Sequence, residues 1–531
     1  MKYNIADLYE SVADVIPDRI AVVSGTTRLT FGQLERRANQ LAHFFQARGV
    51  GPGDHVGMHL YNGAEFVEAM LALFKLRAVP INFNYRYVAN EIRYQSENSD
   101  AVAMITQQEL VDVVEDAISG LPDIHTVVAL EDESDVALPD GVFDYEEALA
   151  SGSPERDFGP RSEDDLYIIY TGGTTGMPKG VMWRHVDVFF AGLQGGAPGG
   201  DPVESPEEVA ERAADPDNAL SMLPAAPFIH GSAQWTSWIC LFTGGKLVLQ
   251  PGRSFDPRRI CELIEEEELT TLSVVGDAMA RPLAEELGTG SYDTDTLVCV
   301  ASAGAVLTPA VRERLEELLP DTMVMNNFGA SETGHQGAAI PGDETGAEGR
   351  PSFYMDESNV VLGDDLRPMA PGSGQLGRLA RKGRLPLGYY KDPQKTAERF
   401  VEADGVRYVV AGDYATLEED GRVTVYGRGA VCINTGGEKV FPSEVEETLK
   451  SHPDVFDAIV VGVASARWMQ QVAAVVQPRV GREPDLESVQ THCRTLIAGY
   501  KVPRILKLVD TIVRQPSGKP DYKWAFGLME D

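Results

Sequence analysis

Apolar and polar positions along the chain follow two periods in alternation. After Thr30 the segment FGQLERRANQLAHFFQARG repeats its apolar residues at helical spacing, HVGMHLY is a short apolar run, and AEFVEAMLALFKLRAVPINF returns to the helical period, with the pattern continuing to about Ile105. This rhythm predicts an α/β layer in which Gly49 or Gly51 closes one helix and Pro80 follows another. A second such stretch runs from DLYIIY at Asp165 through KLVLQP, LTTLSVVGDAMARPL and TLVCVASAGAVL to TMVMNNFGAS. Its strands end in Gly-rich or Ser/Thr-rich turns, which predicts ligand atoms at the carboxyl edge of a parallel sheet. Within it, Gly195–Asp217 is rich in Gly, Pro and acids and reads as a solvated surface excursion. Beyond Gly372 come short β-like pieces with turn signals such as Asp420-Gly421, and from about Gly429 a compact α+β module. The expected boundary at Gly427–Gly429 divides the chain into 1–427 and 428–531.

Size and charge narrow the picture. A chain of 531 residues exceeds what one core supports, so at least two domains, and an enzyme, are expected. Lys and Arg number 46 against 81 Asp and Glu, a net charge of −35 that disfavours a nucleic-acid or anionic-membrane surface. Any phosphate must therefore be met locally. At 43% hydrophobic residues the chain can bury large cores. The opening MKYNIADLYESVADVIPDRIAVV has acids inside its would-be apolar region, so no secretory signal is expected. The longest apolar stretch, near Ala69–Ile81, is cut by Lys75 and Arg77, so no integral membrane span is expected either. Cys240, Cys261, Cys299, Cys432 and Cys493 show no CxxC or Cys/His spacing, which reads as reduced thiols in a cytoplasmic protein without zinc.

Two segments carry chemistry. Tyr170-Thr-Gly-Gly-Thr-Thr-Gly-Met-Pro-Lys179-Gly180 follows an apolar strand. Gly172, Gly173 and Gly176 let the backbone fold tightly and offer amides, Thr171, Thr174 and Thr175 offer hydroxyls, and Lys179 offers a point charge, which together make a phosphate cradle. It is not a Walker loop, because GxxxxGK[ST] is unmatched. The second segment, Asn326-Asn-Phe-Gly-Ala-Ser-Glu332-Thr-Gly334, sets a carboxylate beside two hydroxyls, suited to a hard cation such as Mg²⁺, and amides suited to a purine edge.

These two segments resemble the phosphate-binding and Tyr-Gly-x-Thr-Glu signatures of the adenylate-forming superfamily, which joins acyl-CoA synthetases, nonribosomal adenylation domains and luciferases, and further motifs follow in the same order. The resemblance implies an α/β fold: a large N-terminal domain of two doubly wound α/β subdomains plus a small β-barrel, and a small mobile α+β C-terminal domain. It implies that Thr171–Lys179 holds the β/γ-phosphates of ATP, that Ser302-Ala303-Gly304-Ala305 lines the adenine, and that Asn326 and Asn327 lie on it. Phe328 stands where Tyr is common, Gly329 and Ala330 follow, Ser331 replaces Thr near the α-phosphate, and Glu332, with Thr175, is the implied Mg²⁺ ligand. Asp413 and Arg428 are the implied ribose contacts and Lys519, in Gln-Pro-Ser-Gly-Lys, the implied lysine of adenylation. Gly436 and Gly437 are implied to pass pantetheine, with Lys439 beside the phosphates. Ala430 at the hinge and Asn434 nearby depart from the usual residues.

His230, in Pro-Phe-Ile-His-Gly, resembles the aromatic gate of the acyl pocket, which is expected to run past Gly231 and Trp235 toward Val274, Val275, Gly276 and Met279. Plain core packing is an equal reading of Val274, Val275 and Met279. The implied reaction is activation of an apolar carboxylic acid, a medium- or long-chain fatty acid or a steroid side-chain acid, with ATP to acyl-AMP and then transfer to CoA. Only PDYKWAFGLMED follows Lys519, which favours free CoA over a fused carrier. A ligase loading a separate carrier protein and an idle nucleotide-binding homologue are the rival readings, and the assembly state, a homodimer included, is left open.

Overall fold

The computed structural model describes residues 2–171, 178–305, 307–339, 351–428, 431–435, 438–465, 469–497, 499–515 and 518–530; the side chains at 428, 434, 438, 439, 469 and 530 also lie outside the description. The helical periods of the sequence become capped helices. Thr30 and Gln33 close a reciprocal capping box at the start of helix Phe31–Gln46, and Asn4 caps helix Ile5–Val15.

The first parallel sheet has five strands in the order Val79–Asn82, His55–His59, Ala101–Gln107, Thr126–Leu130, Val142–Asp144. The second sets Ile20–Ser24, Lys246–Leu249, Ser221–Pro224, Thr271–Val274, Cys299–Ser302 and Met323–Ala330 side by side in parallel. It continues through the antiparallel strands Gly334–Ala339 and Ser352–Met355 into a third set built from Val423–Arg428, Asp413–Leu417 and Gly377–Lys382. That set has its own small core of Phe353, Val361, Leu379, Ala415 and Val423.

Residues 433–506 enclose a separate core of Ile433, Val445, Leu449, Val460, Val476 and Val489. Its sheet pairs Val455–Ser465 with Met469–Pro478, flanked by helices Pro442–Lys450 and Leu486–Leu496. Among the described residues no helix is long and apolar enough to cross a membrane. Lys75, which interrupts the longest apolar stretch, is 1% exposed and reaches Glu10 at 2.5 Å and Glu35 at 2.8 Å. Burial lowers the proton affinity of this ammonium, and the two carboxylates offset part of that cost.

Two expectations change. Gly195–Asp217 is no solvated excursion: Gly195 and Gly196 are buried, and helix Pro206–Ala214 buries Val209, Ala210 and Ala213. Arg19 fastens its end by donating to the carbonyls of Ala213 and Ala214. Composition missed this because few apolar residues of the stretch, Val203 and those three, face inward. The phosphate-cradle segment does not leave a parallel edge either. Leu166–Thr171 pairs antiparallel with Lys179–Arg184 in a three-stranded sheet completed by Gly388–Tyr389, so the strands on either side of the segment are antiparallel neighbours.

Candidate functional site

The site gathers where strands of the second sheet end. Val274, Ser302 and Asn326 are register partners on three adjacent parallel strands, so the segments that follow them emerge side by side. The Ser302 hydroxyl is fully buried and accepts the amide N–H of Gly276 at 3.1 Å. It therefore ties residues 302–305 to the start of helix Gly276–Thr289. Val275 lies 3.9 Å from where a β-carbon on Gly304 would stand.

Asn326, Asn327, Phe328, Gly329 and Ala330 run into a tight antiparallel hairpin, each opposite a residue of Gly334–Ala339. Gly334 turns the chain at φ +73, and a β-carbon there would meet the Ala191 carbonyl oxygen at 2.4 Å, so no other residue fits. Trp183 Nε1 donates to the Ser331 carbonyl at 2.9 Å, and Arg381 donates to the carbonyls of Thr333 and His335 at 2.6 and 2.5 Å. Burial, reinforced by Arg381, holds the imidazole of His335 down to about 4, so at neutral pH it is uncharged beside Asn327. Glu332 sits half-buried in the turn, its Oε1 accepting the Tyr389 hydroxyl at 2.9 Å. Phe328 lies 5.2 Å from Phe353, ring to ring.

Thr171 and Lys179 face each other across the hairpin mouth. Lys179 pairs with the Asp392 carboxylate, and this contact holds Asp392 below the usual carboxylate range. Gly172, Gly173, Thr174, Thr175 and Gly176 lie outside the described residues, as do Ala430, Gly436 and Gly437, and the side chains of Arg428 and Lys439 are likewise outside the description. Asp413, 7% exposed, stands opposite Arg428 in the antiparallel pair of strands that carries both.

His230 precedes helix Gly231–Phe242, and Gly231 packs against Ile169 of the strand that leads to the cradle. Trp235 is buried edge-on to Trp183. Val274, Val275 and Met279 are buried in the same core as Trp235, yet the contacts of Val275 are with the Gly304 and Gly518 positions. Lys519 is exposed, in a turn closed by Gln515 N–H to the Lys519 carbonyl at 2.9 Å. A β-carbon on Gly518 would lie 3.3 Å from both Val275 Cγ1 and Ala278 Cβ, so this turn is docked on the strand ends described above.

Sequence reading missed the braces. Asn82, buried in VPINFNY, donates to the carbonyls of Tyr170 and Ile229 at 2.8 and 2.7 Å and accepts the Tyr170 N–H at 2.8 Å. Asn62 accepts the Phe228 N–H at 2.9 Å and donates to the Ala226 carbonyl at 3.2 Å. These amides fix both the strand before the cradle and the loop before His230. An Asn inside an apolar strand was the available signal, since a buried amide requires partners.

Among the described residues no cluster of three or more His, Cys, Asp or Glu could hold a metal by itself. A single carboxylate, Glu332, oriented by the Tyr389 phenol, fits Mg²⁺, which keeps several waters and leans on substrate phosphates.

Residues 9–390 match the family model described as AMP-binding enzyme, and residues 444–519 match that of the AMP-binding enzyme C-terminal domain. The chain is 47% identical over 540 residues to the "Medium/long-chain-fatty-acid--CoA/3-oxocholest-4-en-26-oate--CoA ligase" of Mycolicibacterium smegmatis, covering 100% of this chain and 97% of that one. It is 47% identical over 534 residues to the "3-oxocholest-4-en-26-oate--CoA ligase" of Rhodococcus rhodochrous, covering 99% and 96%. The crystal structure of an anthranilate CoA ligase in complex with anthranoyl-AMP shares the fold, with a TM-score of 0.84 at 22% identity over 100% of this chain and 98% of that one.

Proposed function

Because the chain belongs to the AMP-binding enzyme family, we propose that it is an ATP-dependent acyl-CoA synthetase that activates a medium- or long-chain fatty acid or a steroid side-chain acid through acyl-AMP to the CoA thioester. The observation that carries this reading is the docking of the Lys519 turn, through Gly518, onto Val275 and Ala278, at the strand ends that also present residues 302–305 and 326–332.

In the first step a carboxylate oxygen attacks the α-phosphorus of ATP as the bond to the β-phosphate oxygen breaks and pyrophosphate leaves. Two anions meet, so the site must neutralise charge rather than supply a base. Lys179 is compensated by Asp392 until a triphosphate competes for it. Lys519 extends from its docked turn, and Asp413 with Arg428 would orient the ribose. Glu332 and Thr175 would hold Mg²⁺, which supplies further neutralisation on phosphate oxygens when bound. In the second step the CoA thiol attacks the acyl carbon and AMP leaves, with Gly436 and Gly437 as the proposed passage.

We read 1–427 as the adenylate-binding domain and 428–531 as the domain that carries Lys519. The separate core of residues 433–506 supports that division. The acid pocket is proposed from His230 past Gly231 and Trp235, an apolar wall suited to a bulky apolar acid.

The test is a panel of fatty, aryl and steroid carboxylates with ATP, Mg²⁺ and CoA, reading AMP and acyl-CoA together. Acyl-CoA from apolar acids is expected. Pyrophosphate without acyl-CoA would move the reading to a carrier-loading ligase, and no product from any acid would refute it.

A further inference from the structure

Lys519 leads back through a chain of buried and half-buried charges that the proposed mechanism does not use. Arg514, five residues before it, donates from Nη1 to the Gly518 carbonyl at 3.1 Å, directly onto the turn that presents the lysine. The same guanidinium forks onto Asp457, with Nη2 to Oδ1 at 2.6 Å and Nε to Oδ2 at 2.9 Å. A planar fork on a carboxylate fixes direction as well as distance.

Asp457 lies in strand Val455–Ser465 and also accepts the Ala458 N–H at 2.8 Å. Burial would push its carboxyl up, but Lys450 and Arg514 outweigh that and hold it below the usual range. Lys450, the last residue of helix Pro442–Lys450 and 8% exposed at its side chain, stands 3.9 Å from Asp457 and 3.7 Å from Asp277.

Asp277 belongs to the other core. It lies in the first turn of helix Gly276–Thr289, accepts the N–H and hydroxyl of Thr308 at 2.8 and 2.9 Å, and meets Arg281 at 3.3 Å. Arg281 reaches back across the same boundary, its guanidinium 5.6 Å from the Phe456 ring centroid. Asp277 thus follows Gly276, the residue tied to Ser302, and holds Thr308, just beyond the adenine-lining segment.

We propose that Asp277, Lys450, Asp457 and Arg514 form a charge relay that docks the C-terminal module on helix Gly276–Thr289 and sets the Lys519 turn over the nucleotide segments, with Arg514 and Asp457 as positioning residues for Lys519. This deepens the reading of Lys519 given above and rests on it. Arg514 touches the Gly518 carbonyl and has no role on substrate, so everything it contributes to adenylation passes through where Lys519 sits.

The experiment is a mutant cycle in the full-length enzyme, measuring acyl-AMP formation in a single turnover together with the KM for ATP. Lys519→Ala is expected to slow adenylation ~10²–10³-fold. Arg514→Met is expected to slow it about 10²-fold, the scale of an ångström-sized misplacement. Arg514→Lys should recover part of that loss, and ATP KM should stay within about twofold in both, since the relay does not bind nucleotide. The double variant Arg514→Met/Lys519→Ala should be no slower than Lys519→Ala alone, because residues acting as one unit are not additive. Lys450→Met and Asp277→Asn, each about fivefold slower, should also be silent in the Lys519→Ala background, which keeps the test available if Arg514→Met does not fold. Losses that multiply with Lys519→Ala would overturn the relay while leaving Lys519 in place. A Lys519→Ala enzyme that adenylates at the full rate would instead remove the reading of Lys519, and the relay with it.

Discussion

At the strand ends of the first parallel sheet, His59, Asn82 and Thr106 are buried, and their side chains bond to other groups of the protein. At the strand ends of the second, Asn326, Asn327 and Phe328 are only half-buried, and Val275 faces Gly304 and the docked Lys519 turn. Both edges are built from parallel, helix-flanked strands, so strand direction alone does not separate them. What differs is who satisfies the polar groups. In the first sheet the backbone of neighbouring segments takes Asn82, and His59 and Thr106 meet each other, which turns that edge into a brace. In the second they are left near the surface, where a ligand can meet them.

The contrast can be broken at Asn82. Asn82→Leu leaves the Tyr170 amide and the Tyr170 and Ile229 carbonyls without partners, so a stability loss of about 3 kcal/mol is expected, read as a lowered urea midpoint. KM for ATP should rise as well, because the same bonds fix the strand before the cradle. An unchanged midpoint would deny the brace.

His59 probes the same edge by pH. Burial holds its folded imidazole down to about 4, against an ordinary value near 6.5. Between those values the unfolded chain binds a proton that the folded chain refuses, so stability present above pH 6.5 is lost as pH falls toward 4. The expected loss at pH 5 is about 2 kcal/mol, and His59→Gln should remove that part of the difference between midpoints at pH 7.5 and pH 5. A variant with the wild-type pH slope would show that His59 does not titrate this way.

At the second edge the expected effects fall on ligand and not on stability. Tyr389→Phe deletes the hydroxyl that orients Glu332, and the Mg²⁺ concentration for half-maximal adenylation should rise about fivefold, the equivalent of one hydrogen bond near 1 kcal/mol. The melting temperature should barely move. The smallest effect expected is that of salt. With a net charge of −35, the exterior repels nucleotide, so the ATP association rate should rise or fall only weakly as salt is added. A steep fall would mean that the second edge carries a wide basic field.

Much of the site was legible because its residues are close in sequence and chemically unusual: Thr171 through Lys179, Asn326 through Glu332, and Lys519 after a Ser-Gly pair. The helix at Pro206–Ala214 was not legible, since its inward face is three small or branched residues inside an acidic, Gly-rich stretch. Tyr389 and Asp392 were not legible either. Their partners Glu332 and Lys179 lie far away in the chain, and nothing in KDPQ or GYY announces a contact.

By itself the sequence determined the period of most elements, the net charge and the two segments proposed to hold phosphate and purine, because each depends on neighbours within a few residues. Only the tertiary structure decided that the strands flanking residues 172–177 pair antiparallel, that Ser302 spends its hydroxyl on Gly276, and that Asp277 of one core stands 3.7 Å from Lys450 of the other. Those outcomes depend on which buried polar group finds which partner across long stretches of chain, a choice made by packing and desolvation together.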